Sequence, residues 1–359
     1  MTTSGGFDGV NRVIVGVDTH LDEHVAVAID HHGARLGEYR LTTTAKGYEG
    51  LERWAIGLGE VAAFGVEGTG SYGAGLARYL AQCGHTVIEV NRPDRSIRRR
   101  LGKSDPLDAE MAARSVLAGM ARESPKSGVG KVEMIRVLKT VKNSAMKART
   151  QAMNQMKALV VTAPVELREE LARLNARRLV DRCSSFRPGR LATPAAAAKY
   201  ALRLLARRHS RLTSEIEDVD KELVRLTAET APALVHTFGI GPDTAATLLV
   251  TAGSNPERLR SEPAFAALCG VSPIPASSGK TDRHRLNRGG DRQANAALYR
   301  VVLVRLRYDE RTREYMKRRT REGMTKPEVI RCLKRYVARR VFAMLREVGR
   351  KNLALPAAA

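Results

Sequence analysis

Apolar and polar positions alternate between two periods over roughly the first third of the chain. Val13–Val17 is an unbroken apolar run and reads as a buried strand. His24–Ile29 follows, then the turn Asp30-His31-His32-Gly33, then Leu36–Leu41, so the chain opens with strands joined by hairpin-like turns. Tyr48, Leu51, Trp54, Ala55 and Leu58 then recur at helical spacing. Val61–Glu67 reads as a fourth strand, Tyr72–Gln82 as a helix stopped by Gly84, and Thr86–Val90 as a fifth strand. After the basic segment Arg92–Lys103, a helix is predicted from Pro106 to about Ala118. The order βββαβαβα predicts an α/β domain on a mixed sheet.

Downstream the pattern is helical. Lys131–Val161 has a helical period with basic exposed positions, and Cys183–Pro194, with Ser184, Ser185, Pro188 and Gly189, reads as a linker or helix break. Leu202, Leu205, His209, Leu212, Ile216, Val219, Leu223 and Leu226 are spaced alternately three and four apart, flanked by charges such as Arg207, Arg208, Glu215 and Lys221. Sustained over more than three heptads, this seam predicts a coiled coil, either joining copies of the chain or folding back as a hairpin. His209 is its polar interruption and is expected to set register. Beyond Pro232 come glycine-punctuated, arginine-rich helices, ending in a frayed tail from Leu353 to Ala359. The expected class is thus α/β plus α, divided into 10–162, a helical linker and coiled coil at 163–231, and a mainly helical domain at 232–350.

Charge narrows the function. Lys and Arg number 61 against 38 Asp and Glu, a formal net charge of +23, and the isoelectric point is near 10.4. Such an excess serves a polyanion. No apolar run reaches the roughly 18–20 residues of a membrane span, and Met1–Asp8 lacks the basic and apolar pattern of a secretory leader. Nucleic acid is the remaining partner, and a cytoplasmic location is expected. Cys83, Cys183, Cys269 and Cys332 are scattered, with no metal-ligand spacing, and read as reduced thiols packed in the interior. Aromatic residues are only 4% of the chain, which argues against base stacking as the main mode of recognition.

Four acids stand where metal-dependent phosphoryl transfer needs them. Asp18 ends the first strand in Val-Gly-Val-Asp-Thr-His, and Glu67 ends the fourth in Phe-Gly-Val-Glu-Gly-Thr-Gly. Asp105 and Asp108, in Lys-Ser-Asp-Pro-Leu-Asp-Ala-Glu, share one face at the start of a helix. Acids directly after buried strands are costly unless paired or metal-bound. Together they could hold two Mg²⁺ ions about 4 Å apart, clamping attacking and leaving oxygens. Taken singly, Ser104 or Asp105 could be a helix cap and Asp18 a turn residue.

These segments resemble the DEDD motif of a RuvC-like, RNase H-type domain, and the chain from Val13 to about Arg346 resembles the transposases of the insertion-sequence-110 family. The resemblance implies a RuvC-like domain at 10–162 and a serine transposase domain at 232–350. Family members carry an Ala-Gly-x-x-Pro-x-x-x-x-Ser-Gly segment with a nucleophilic serine. Aligned on Pro273 and Gly279, it places that serine on Ser278, with Ser277 as fallback and Cys269 in place of the alanine. By local chemistry alone, Ser277 and Ser278 are ordinary loop residues. The resemblance further implies a phosphoserine link to DNA, carboxylates and serine drawn from different protomers, and guidance by a structured bridge RNA on donor and target duplexes, while the heptad seam predicts a homo-oligomer, dimer or tetramer, through the coiled coil.

Contacts to nucleic acid are expected from Arg98, Arg99, Arg100 and Lys103, from the helix–hairpin–helix-like turn with Gly239 and Gly241, and from Lys280, Arg283, Arg285, Arg288 and Arg292. The glycine turn reads equally as plain packing between helices. His284 is a possible base for the serine or a phosphate contact. Two rival functions stay open. One is a junction resolvase or nuclease that uses water with the same four carboxylates. The other is a non-catalytic RNA-binding scaffold.

Overall fold

The computed structural model describes residues 12–90, 104–280 and 284–353. They fall into two compact units, Met1–Gly128 and Val129–Ala359. No helix among the described residues is long and apolar enough to cross a membrane.

The first unit is a five-stranded mixed sheet. Its strands are β1 (Arg12–Thr19), β2 (Glu23–Asp30), β3 (Arg35–Thr42), β4 (Glu60–Glu67) and β5 (Val87–Val90), in the order β3-β2-β1-β4-β5. β1 pairs antiparallel with β2, and β2 with β3. β4 pairs parallel with β1 and with β5. The alternating residues Val13, Val15 and Val17 point to one face, where they pack with Ala26, Ala28, Phe64 and Val66 under the helices Ala45–Leu58 and Ala74–Gln82. Ile14, Val27 and Ile29 point to the other, beneath Ala109 and Ala113 of the helix Asp105–Leu117. The central strands are buried on both faces, which is why β1 shows a continuous apolar run rather than an alternation.

The second unit is mostly helical. Its long helices Gly130–Thr162 and Pro194–Thr230 pack along each other. Val132 and Ile135 share a core with Leu223 and Leu226, whereas Met156 and Val160 share one with Leu202 and Ala206. The two helices are therefore antiparallel, and the heptad seam closes inside one chain as a hairpin. Short helices Val165–Ala172 and Ala176–Ser184 pack at its distal end through Leu167, Leu171, Leu179 and Cys183. The 130–162 helix, expected in the first domain, makes its contacts within this second unit. At the proximal end, helices Pro242–Ala252, Glu262–Leu268, Arg292–Tyr308 and Lys326–Leu353 build the larger core around Leu248, Phe265, Leu298 and Val341. The cysteine expectation also needs correcting: Cys83 is exposed, because it caps the surface end of the 74–82 helix, while Cys183 and Cys269 are buried.

Candidate active site

Asp18 and Glu67 stand side by side because β1 and β4 are parallel neighbours, with Val17 opposite Val66 one residue earlier. Both lie at the carboxyl ends of their strands, where parallel sheets gather ligand-binding groups. Strand alternation puts Gly16 with Asp18, and Gly65 with Glu67, on the face covered by the 105–117 helix. Gly16 is required by close approach: a Cβ there would stand 2.0 Å from the Ala109 carbonyl oxygen and 2.4 Å from the Ala113 nitrogen. The helix rests directly on the β1 backbone and runs against it. From Gly16 to Asp18 is about 6.6 Å along the strand. From Ala109 back to Asp105 is about 6 Å along the helix. The helix N-terminus therefore arrives at the strand ends together with both of its acids.

Burial at the site is deep. Asp18 and Glu67 are each 8% exposed and Asp108 only 3%, while the Asp105 side chain is 42% exposed. Ser104 caps the helix with extended backbone but makes no side-chain capping bond, and Asp105 is the first helical residue. Neither side chain thus serves as the helix cap. The loop after β4 wraps tightly: the Thr19 hydroxyl donates to the Glu67 carbonyl at 3.0 Å, and the amides of Ser71 and Gly73 donate to the Gly68 carbonyl at 2.8 and 3.1 Å. Burial pushes the Asp18 carboxyl above the ordinary aspartate range. His20 opposes this, and the neighbouring charges of Asp108 and Asp105 add to it.

One residue at this site was missed by the sequence reading. His20 Nε2 lies 3.3 Å from Asp18 Oδ2 and 3.5 Å from Asp105 Oδ1. One ligand atom from each of Asp18, His20 and Asp105 falls within 4.8 Å of the others, a spacing that fits a divalent cation. The signal was in the chain, as the second residue after the strand-end aspartate. A cleft of about 500 Å³ opens beside the site, lined by His20, Leu21, Asp22, Glu23, Val25, Tyr72 and Asp105.

The serine segment lies in the second unit. Ile274–Pro275 pairs antiparallel with His284–Arg285, and Ser277, Ser278, Gly279 and Lys280 occupy the exposed turn between them. The base of this hairpin is pinned. Asn287 Nδ2 donates to the Ala267 carbonyl at 3.1 Å, and Asn295 Nδ2 to the carbonyls of Cys269 and Gly270 at 2.9 and 3.0 Å. Asp291 caps the 292–308 helix through the amides of Gln293 and Ala294 and accepts from the Thr251 hydroxyl at 3.0 Å. Gly290 touches Gly270 so closely that a Cβ would stand 2.3 Å from the Gly270 nitrogen.

Lys280, Arg285, Arg288 and Arg292 are all exposed around the hairpin. Arg98, Arg99, Arg100, Lys103 and Arg283 lie outside the described residues. Gly239 and Gly241 form the turn ahead of the 242–252 helix, and Arg305 Nε donates to the Phe238 carbonyl at 3.1 Å. The first turn of that helix carries Asp243. Burial pushes its carboxyl up, but Lys139 and Lys142, each 2.7 Å away, hold it below the ordinary range.

Comparison with known proteins places the chain among transposases. Residues 15–163 match a family model for DEDD transposases of the IS110 type, described as "Transposase", and residues 231–317 match "Transposase IS116/IS110/IS902 family". The chain belongs to the IS110 family of transposases. The "Insertion element IS110 uncharacterized 43.6 kDa protein" of Streptomyces coelicolor is 33% identical over 119 residues, 33% of this chain and 29% of that protein's length. The first family match holds all four acids and His20, and it extends past Gly128 to take in the 130–162 helix. The second holds the Gly239–Gly241 turn and the serine hairpin.

Proposed function

We propose that the protein is a DNA transposase acting as a site-specific recombinase, with a first unit of RuvC or RNase H type. The observation that carries this reading is the meeting of Asp18, Glu67, Asp105 and Asp108 at two parallel strand ends and one helix N-terminus, within an IS110-family chain. These acids hold divalent cations, two Mg²⁺ ions in our reading. Bound there, such ions would supply positive charge against the scissile phosphate and the leaving oxygen.

The remaining chemistry belongs to the chain. Ser278 Oγ forms a bond to the backbone phosphorus while the bond from phosphorus to the departing strand oxygen breaks, and that oxygen takes up a proton. The phosphoserine conserves the bond energy. Attack by the hydroxyl of an incoming strand end then restores the serine hydroxyl and reseals DNA without ATP. The exposed hairpin turn supports this role, since a duplex can reach it without unfolding the core. Lys280, Arg283, Arg285, Arg288 and Arg292 hold adjacent phosphates, and Arg98, Arg99, Arg100 and Lys103 extend the basic surface of the first unit. Gly239 and Gly241 offer backbone amides to a phosphate. Donor and target duplexes are chosen through a structured guide RNA, as the family resemblance implies.

The serine and the carboxylates come from different protomers of a dimer or tetramer. Since the heptad seam closes within one chain, we place self-association on the opposite side of the hairpin. There Met134, Val137, Val141, Ser144, Gln151, Gln155 and Ala158 recur at intervals of three, four or seven on exposed, uncharged positions of an otherwise basic helix. A second copy matches this face because it brings the same uncharged strip, whereas nucleic acid would select the cations it lacks.

The test is a trapped protein–DNA adduct on a donor–target substrate with guide RNA and Mg²⁺. The adduct is expected in the unmodified protein, absent in Ser278→Ala and absent in Asp18→Asn. Strand cleavage that persists in Ser278→Ala would favour the hydrolytic resolvase instead.

A further inference from the structure

We infer that His20 is a nitrogen ligand of the cation at the carboxylate site, and that it makes this site favour Mn²⁺ and later first-row ions over Mg²⁺. This rests on the reading of the four acids as a metal site. The imidazole faces two carboxylates from two different elements, Asp18 at the end of β1 and Asp105 at the helix start. Its spacings of 3.3 and 3.5 Å are longer than the about 2.9 Å of an ordinary N–H···O hydrogen bond. They fit the edges of a coordination shell. Two donors each about 2.1 Å from one ion stand about 3.0 Å apart in an octahedral shell and about 3.4 Å apart in a tetrahedral one.

Packing does not account for the ring's position, since its side chain is half-exposed at 50%. Its backbone is anchored, because the His20 amide donates to His24 Nδ1 at 3.3 Å and so ties the turn after β1 to the first residues of β2. The anchor itself is buried: His24 is fully enclosed and stacks on Tyr48. The ring therefore stands at the mouth of the cleft, on a turn that cannot swing freely, with its nitrogen toward the two acids.

Coordination chemistry gives the consequence. Mg²⁺ binds weakly to nitrogen and is served by carboxylates and water alone. An imidazole added to carboxylates raises affinity along the first-row series from Mn²⁺ upward. A site of Asp18, Asp105 and His20 therefore discriminates between these ions, whereas the acids without His20 do so far less.

The experiment uses the full chain loaded with Mn²⁺ and read by electron spin-echo envelope modulation, which detects nitrogen bonded to the ion. Equilibrium titrations with Mn²⁺ and Mg²⁺ run in parallel on the unmodified protein and on His20→Gln, His24→Phe and Asp18→Asn. We expect a nitrogen modulation that persists in His24→Phe and vanishes in His20→Gln. His20→Gln should still bind Mn²⁺ through its carboxylates, with affinity lowered at least about tenfold, and its Mg²⁺ affinity should stay within about twofold. Circular dichroism checks that the half-exposed substitution leaves the fold intact. Mn²⁺ bound without nitrogen modulation, or a modulation surviving in His20→Gln, would overturn the role of His20 and leave the carboxylate reading standing. Mn²⁺ binding that Asp18→Asn does not weaken would overturn the carboxylate reading, and this inference with it.

Discussion

The two candidate reaction centres are built in opposite ways. In the first unit Asp18 and Glu67 are sunk at the ends of buried strands and Asp108 is buried in the first turn of a helix that rests on bare backbone at Gly16. Ser278 stands on the exposed turn of a hairpin with two-residue strands, whose base is held by Asn287, Asp291 and Asn295. The contrast follows from charge. Several carboxylates at close range repel, and a rigid frame on three elements keeps them together. A serine hydroxyl is neutral and costs nothing to expose, and in the proposed reaction it has to meet a phosphate on a bulky duplex. The rigid centre is where close packing is found; the exposed one is where access is found.

The comparison can be broken most directly at the acids. Asp18→Ala should lower strand cleavage at least about 100-fold, through lost electrostatic stabilisation of the transition state, while its melting temperature without metal is unchanged or higher. Normal cleavage by a folded Asp18→Ala protein would remove this cluster from the chemistry. At the serine, Ser278→Ala should abolish the covalent adduct, whereas Ser277→Ala should keep it. Mass spectrometry of a digested adduct assigns the residue, and a nucleotide on Ser277 would shift the family register by one.

Stability separates the regions next. Leu223→Glu puts a charge into the closed seam, where Leu223 is 1% exposed, and should cost roughly 3–5 kcal/mol. Denaturant titration should show this loss in the hairpin unit; a folded variant that merely dissociates would return the seam to a role between protomers. Gly16→Ala should cost roughly 1–3 kcal/mol by lifting the helix off β1, and should reduce metal binding as well. Gly279→Ala meets no atom of the described residues within 4 Å but sits at φ +54°, so its expected cost of about 1–2 kcal/mol comes from backbone strain, with metal binding untouched.

The smallest expected effect concerns pH. Because the folded protein raises the Asp18 pKa, chiefly by burial, the folded state holds that proton more tightly than the unfolded chain does. Its contribution is fully present below the ordinary aspartate range and is lost as pH rises through the folded value. Metal-free protein should therefore lose stability as pH climbs through the acid range, less steeply in Asp18→Asn. Melting curves in chelator at a series of pH values check this.

Much of the first unit is legible in its residues. Apolar runs and alternations place all five strands and three of the helices, and turn residues separate them, because local period and turn chemistry act over a few residues. The strand-end acids stand out for the same reason: a carboxylate directly after Val15-Gly16-Val17 or Phe64-Gly65-Val66 conflicts with burial and asks for an explanation. His20 did not stand out, since a histidine in a turn after a strand conflicts with nothing. Its meaning depends on Asp105, which the helix brings from far along the chain. The heptad seam showed an apolar stripe without showing what would fill it.

Residue pattern alone thus determined the strand order in the chain, the amphipathic stripes, the basic charge and the identity of the four acids, all of which are local properties. Tertiary structure decided which strands run parallel, that Gly16 admits a helix onto β1, that Asp18, His20 and Asp105 meet, and that the 202–226 seam pairs with the helix before it. Each of these is a choice among partners distant in sequence. Such choices are settled by competing burial and close packing across the whole unit, and no short window of residues carries the energy of that competition.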